Sequence, residues 1–271
     1  MKLALVGDSL RATFRPRSLW LAEFLLNPVF ALLAVVWLQL PETAGGLTLT
    51  VLLGLVIVVG SLTLAGATLA WFVEHHGGGA PTLRGAFGKG LRHFWLLGIW
   101  GLVMLVGCHV VEWMEGYRYQ FPQYVRSELP MFLRVHVSEA QLLWLFLFVL
   151  GVLFWVILPA LWLPPAAQLA AQGFRGFGRD GFRAWGRSLK SWQYWLMVAL
   201  CALVGVWLPM LLMGMAPTES INPPPPPLST QMMSLIFRLA ISYALALFGW
   251  MWVASATGRA GTVSSAQADS K

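Results

Sequence analysis

Ala86-Phe87-Gly88-Lys89-Gly90-Leu91-Arg92-His93-Phe94 has a second copy in the same chain, Ala184-Trp185-Gly186-Arg187-Ser188-Leu189-Lys190-Ser191-Trp192. Aromatic answers aromatic, cation answers cation and Leu answers Leu, at a shift of 98 positions without a gap. The same shift lays Leu105-Val106-Gly107 on Leu203-Val204-Gly205, and the apolar run 47–73 on the apolar run 145–171. Each copy therefore sits between two long apolar runs. Phe87, Leu91 and Phe94 fall at i, i+4 and i+7, one face of a helix, with Lys89, Arg92 and His93 off that face. This pattern predicts an all-α chain with an internal parallel repeat, 47–107 and 145–205, each unit being a span, an amphipathic connector and a span. The two connectors are expected as short helices along the membrane surface.

Composition sets the medium. Of 271 residues, 58% are hydrophobic and only 11% charged, against about 25% charged in a typical soluble domain. The apolar residues come in runs of about 18 or more, enough for a helix to cross roughly 30 Å of hydrocarbon. A polytopic membrane helical bundle is the class that fits. Six transmembrane helices are expected, at about 19–40, 47–73, 94–111, 141–163, 192–215 and 232–254. They make a membrane domain over 1–256, followed by a small polar tail, 257–271, expected to be disordered. Pro28 should kink the first span, Pro159, Pro164 and Pro165 should break or bend the end of the fourth, and Pro209 should bend the fifth. A short interfacial helix is expected before Pro16, and the aromatic loop 112–139 reads as a surface cap.

Charge gives the orientation. The formal net charge is +7, and the cations cluster before the first span, in the two connectors and near the C-terminus. The other loops hold only Arg118, Arg126 and Arg134. The positive-inside bias then puts both termini in the cytoplasm of a bacterial cell, with the chain multi-pass in the inner membrane. Nine tryptophans, among them Trp71, Trp162 and Trp252, fall near expected span ends as interfacial anchors. No basic module of a nucleic-acid binder is present, so nucleic acid is not an expected partner.

Few side chains carry chemistry. Lys89, Arg92, Arg187 and Lys190 are placed to meet anionic lipid headgroups. Arg238 lies within the sixth span, and Glu23, with Asn27 one turn on, lies near the inner end of the first. An ionisable group inside a span is a functional-site candidate by default. His109 and Glu112, at i and i+3, share a helix face, but two ligands fall short of the three or four that zinc takes. Cys108 and Cys201 sit in apolar runs and read as core fillers. Nucleotide-binding, hydrolase and metalloprotease motifs are all missing from the sequence, so no cofactor or metal is expected and the chain does not read as an enzyme.

The doubled pattern of span, "Ala-aromatic-Gly-basic-x-Leu-basic" segment and span resembles bacterial six-span membrane families of unassigned role. The nearest is the membrane-domain family found fused to glycerophosphoryl diester phosphodiesterases. The resemblance covers roughly 47–215 and implies an all-helical membrane domain. It transfers no catalytic residue, because the soluble phosphodiesterase domain has no counterpart here. The expected function is a non-catalytic membrane subunit or scaffold in contact with membrane lipids and other membrane proteins. The alternative is a small permease with a path between the two repeats, lined by Arg238, Glu23 and Asn27.

Overall fold

The computed structural model describes residues 4–41, 43–176, 178, 181–214 and 228–262. Among these the chain is helical throughout, with no strand. A short helix α1 (Ala4–Thr13) turns at Pro16 into α2 (Arg17–Leu38). The long helices α3 (Ala44–His76) and α4 (Leu83–Glu115) follow, and then the small surface helices α5 (Gln120–Glu128) and α6 (Met131–Arg134). The next crossing is α7 (Glu139–Val152), a π-turn (Leu153–Ile157) and α8 (Leu158–Gly176). After α9 (Phe182–Lys190) comes α10 (Trp192–Ala202), a second π-turn (Leu203–Trp207) and α11 (Leu208–Gly214). The last helix is α12 (Leu228–Thr262). Six helices are long and apolar enough to cross a membrane, so the chain is an integral membrane protein of the expected all-α class.

The prolines do not end the helices: of the break or bend expected in the fourth span, the break does not occur. Pro159 and Pro209 each follow a π-turn, in which the N–H of the residue before the proline (Leu158, Leu208) reaches back five residues, to Leu153 O and Leu203 O. The wider turn carries the backbone past a ring that would otherwise clash with the carbonyl four residues back. Pro28 and Pro164 are handled differently. Each lacks the N–H that would bond the carbonyl four residues earlier, Phe24 O and Ala160 O. Tyr243 Oη donates to Phe24 O at 3.0 Å, and Tyr194 Oη donates to Ala160 O at 3.2 Å. A tyrosine from another helix thus supplies the missing donor, which is how a proline is tolerated inside a membrane helix.

The packed core lies at one end of the bundle, the end that holds most of the cations. It joins Leu19 of α2, residues of 67–73 of α3, Ala86, Leu96 and Leu97 of α4, residues of 160–170 of α8, α10 and residues of 247–260 of α12. Glycines set the closest approaches. A Cβ on Gly90 would stand 2.3 Å from Thr63 O of α3, and one on Gly249 would stand 2.7 Å from Gly205 Cα. Backbones that approach this closely gain dispersion contacts, which matter most in lipid, where apolar burial gives no drive. Trp100 Nε1 donates to Trp162 O and Trp162 Nε1 to Trp100 O, each at 3.0 Å, and so clasp α4 to α8. Trp71 and Trp252 are also in this core rather than at an interface. Toward the other end the spans expose apolar side chains such as Leu38, Val51, Leu105 and Phe237.

Two boundaries differ from expectation. Residues 83–94 form the first turns of α4 and not a separate surface helix, because no helix breaker follows them and Gly90 lets them lie against α3. In the second copy the backbone does turn extended at Ser191 (φ −87°, ψ 107°), leaving α9 separate from α10. The two connectors therefore take different forms. Helix α12 runs through Thr257 to Thr262, where a disordered tail was expected. Its small residues Ala254, Ala256 and Ala260 pack in the core, and Thr257 Oγ1 is satisfied by Val253 O. The rest of that tail, 263–271, lies outside the described residues.

Helix α1 sits before Pro16 as expected, but its polar face turns into the bundle. Ser9 and Thr13 are fully buried. Ser255 Oγ of α12 donates to Ser9 O, His76 Nε2 lies 3.3 Å from Ser255 Oγ, and Arg259 pairs with Asp8 at 2.8 Å. Both described termini thus lie at the packed, basic end.

Candidate functional site

Glu23 is only 1% exposed although it lies inside a membrane-spanning helix. It is six residues from the start of α2, or roughly 9 Å at 1.5 Å per residue. Three helices converge on its carboxylate. Asn27 Nδ2 of α2 donates to Oε2 at 2.7 Å and Trp250 Nε1 of α12 donates to Oε1 at 2.9 Å, while Thr68 Oγ1 of α3 also donates to Oε1. Asn27 Nδ2 also reaches Glu23 O at 2.9 Å, which holds the amide over the carboxylate. Tyr243 Oη, shared between Phe24 O and Glu23 O, ties α12 to the same turn of α2. All the donors that reach the carboxylate are neutral. Among the described residues no Lys or Arg forms an ion pair with it.

A cavity of about 420 Å³ opens beside this knot. Glu23, Asn27, Ser61, Tyr243 and Trp250 give it polar edges, and Leu64, Ala65, Ala246 and Leu247 give it apolar walls. It lies between α2, α3 and α12. The path expected between the two repeat units is therefore not where this cavity is.

The other candidates disperse. Arg238 is half-buried on α12 and does not line the cavity. His109 Nδ1 and Glu112 Oε2 approach to 3.6 Å, but both side chains are well exposed. Glu112 also lines a separate opening with Glu115, Gly151 and Trp155. Among the described residues no group of three or more His, Cys, Asp and Glu could hold a metal ion. Of the four headgroup candidates, two are engaged within the protein: Lys89 Nζ pairs with Glu74 at 2.5 Å, and Arg187 Nη2 donates to Gly261 O near the end of α12 at 2.8 Å. Arg92 and Lys190 are exposed. Exposed arginines missing from the headgroup set, Arg11, Arg15 and Arg17, surround the turn between α1 and α2.

Sequence reasoning finds Glu23 and Asn27 through their spacing, since i and i+4 share a face. It misses Thr68, Tyr243, Trp250 and Ser61, which come from helices distant in the chain. Tyr243 alone had a sequence cue, being one of only two tyrosines outside the loop 112–139, the other being Tyr194; Trp250, near the expected end of the sixth span, reads there as one more interfacial anchor. No protein-family model matches the chain, and neither does a curated protein or a solved structure.

Proposed function

We propose that the chain is a non-catalytic subunit or scaffold of the bacterial inner membrane, with its packed end and both termini in the cytoplasm. The observation that carries this reading is the uneven packing. In each spanning helix only 11–22% of the apolar stretch is buried within the chain, and the ties that join the helices gather at the basic end. Helices associate in lipid through close packing and interhelical hydrogen bonds. Helices tied most closely at one end and largely exposed along their length leave long faces for lipid or for helices of other proteins. The orientation is supported by Arg17, Arg84, Arg92 and Lys190 at the packed end, against Arg118, Arg126 and Arg134 at the other. Exposed Arg92 and Lys190, with Arg11, Arg15 and Arg17, are suited to anionic headgroups there. The duplication of 47–107 in 145–205 remains part of this proposal, as does the likeness to the phosphodiesterase-linked membrane domains. Extraction in mild detergent tests it: the chain should run with a second protein or a second copy, and a lone monomer carrying lipid only would contradict it.

A small permease is the second reading. The cavity beside Glu23 favours it, because a carboxylate kept inside a span next to open volume is a common feature of substrate and ion pathways.

A further inference from the structure

We propose that the Glu23 cavity is a binding site for a small lipophilic organic ammonium. The inference rests on the cavity itself and holds whichever functional reading is right. A carboxylate offers about four acceptor positions. Here three donors, from Asn27, Thr68 and Trp250, reach it, and each is neutral. One acceptor position is left, in a carboxyl group that lines an open volume and has no ionic partner among the described residues. A buried charge without an ionic partner is costly in a low-dielectric setting, and a cation that brings its own hydrogen-bond donor answers both needs.

The walls narrow the class. The rings of Tyr243 and Trp250 border the same volume, and aromatic faces attract ammonium groups through the ring quadrupole. Leu64, Ala65, Ala246 and Leu247 offer contact only to an apolar body. A bare metal cation would need six or more oxygen ligands if it were calcium, or near-ideal octahedral geometry if magnesium. The lining brings a single carboxylate among otherwise neutral and largely apolar walls, which suits neither. At about 420 Å³ the space falls in the range that small-molecule sites usually occupy. A primary amine on a short alkyl chain satisfies all of these features: its N–H groups and charge meet Glu23, and its chain lies along the leucines.

The test uses the full chain in nanodiscs of zwitterionic lipid, with n-octylammonium as probe and n-octanol as its uncharged match, read by equilibrium dialysis against empty discs. Saturable binding of octylammonium at one per chain is expected, with octanol at least about tenfold weaker. Glu23→Gln should lower octylammonium affinity at least about tenfold. Ser61→Leu, which intrudes on the cavity from α3 and leaves the carboxylate and its three donors in place, should do the same while leaving the melting temperature unchanged, so the proposal does not depend on the folding of the Glu23 variant. Octanol binding as well as octylammonium, or Ser61→Leu binding like the parent protein, would overturn it. So would octylammonium uptake no greater than that of empty discs.

Discussion

Replacing Tyr194 with Phe removes one oxygen from a fully buried side chain, and the consequence depends on a proline in another helix. Tyr194 Oη donates to Ala160 O at 3.2 Å. That carbonyl is in need because Pro164, four residues on, has no N–H. Leaving a buried acceptor unsatisfied costs about 1–3 kcal/mol in general, while interhelical hydrogen bonds in bilayers contribute closer to 0.6 kcal/mol and at most about 1.7. We expect Tyr194→Phe alone to destabilise by about 1–1.5 kcal/mol, toward the upper bilayer value because helix α8 cannot repair the carbonyl itself. In a Pro164→Ala background the new backbone N–H can take Ala160 O, and the same substitution should then cost about 0.5 kcal/mol or less. The assay is unfolding in mixed detergent and dodecyl sulfate micelles, followed by tryptophan fluorescence, for the four members of the cycle. A coupling of about 0.5–1 kcal/mol supports the account. Effects that add to within about 0.3 kcal/mol would refute the claim that the tyrosine acts on the proline's unpaired carbonyl.

Gly90→Ala should destabilise by about 1–3 kcal/mol, despite a helix-propensity gain of about 1 kcal/mol, because the added Cβ meets backbone of α3 and not a movable side chain. Gly101→Ala, with nothing within 4 Å of its Cβ, should show no loss in the same scanning fluorimetry. Trp250→Phe removes the tie between the Glu23 carboxylate and α12, leaving only Tyr243 on the backbone of that turn. Loss of a hydrogen bond to a charged group costs about 1.5–3 kcal/mol, and amide exchange in the first half of α2 should quicken; unchanged exchange would count against the knot. Trp100→Phe and Trp162→Phe should lower the melting temperature by matching amounts, since each removes one of two equal 3.0 Å bonds; a loss confined to one of them would contradict the reciprocal clasp.

The six spans are legible in the sequence because length and apolarity are all that a crossing helix requires. Their ends are less so. Residues 83–94 carry an amphipathic pattern that suits either a surface helix or the start of a long one, and what decides is contact with α3 at Gly90, a long-range fact. The prolines mislead for a related reason. Taken alone, Pro164 forecasts a break or bend, and the donor that serves its freed carbonyl, Tyr194, arrives from a different helix thirty residues on. Tyr243 does the same for Pro28 across a far greater separation. A sequence reading that asked which donor serves each proline-freed carbonyl would have paired the two tyrosines outside the aromatic loop with two of the span prolines. Glu23 and Asn27 were visible as a local pair; their partners on α3 and α12 became visible only once those helices were packed. The tail from Thr257 reads as small and polar, yet small residues are also what a close helix contact uses.

The layout on which the account depends is a bundle whose packed end faces the cytoplasm. Its most direct test replaces the half-buried Cys108 and the buried Cys201 with alanine and introduces single cysteines at Arg92, Lys190 and Tyr124, all exposed positions. Intact cells are then treated with a membrane-impermeant maleimide. The account predicts labelling at position 124 alone, with 92 and 190 labelled only after the cells are opened; labelling of 92 or 190 in intact cells would contradict it.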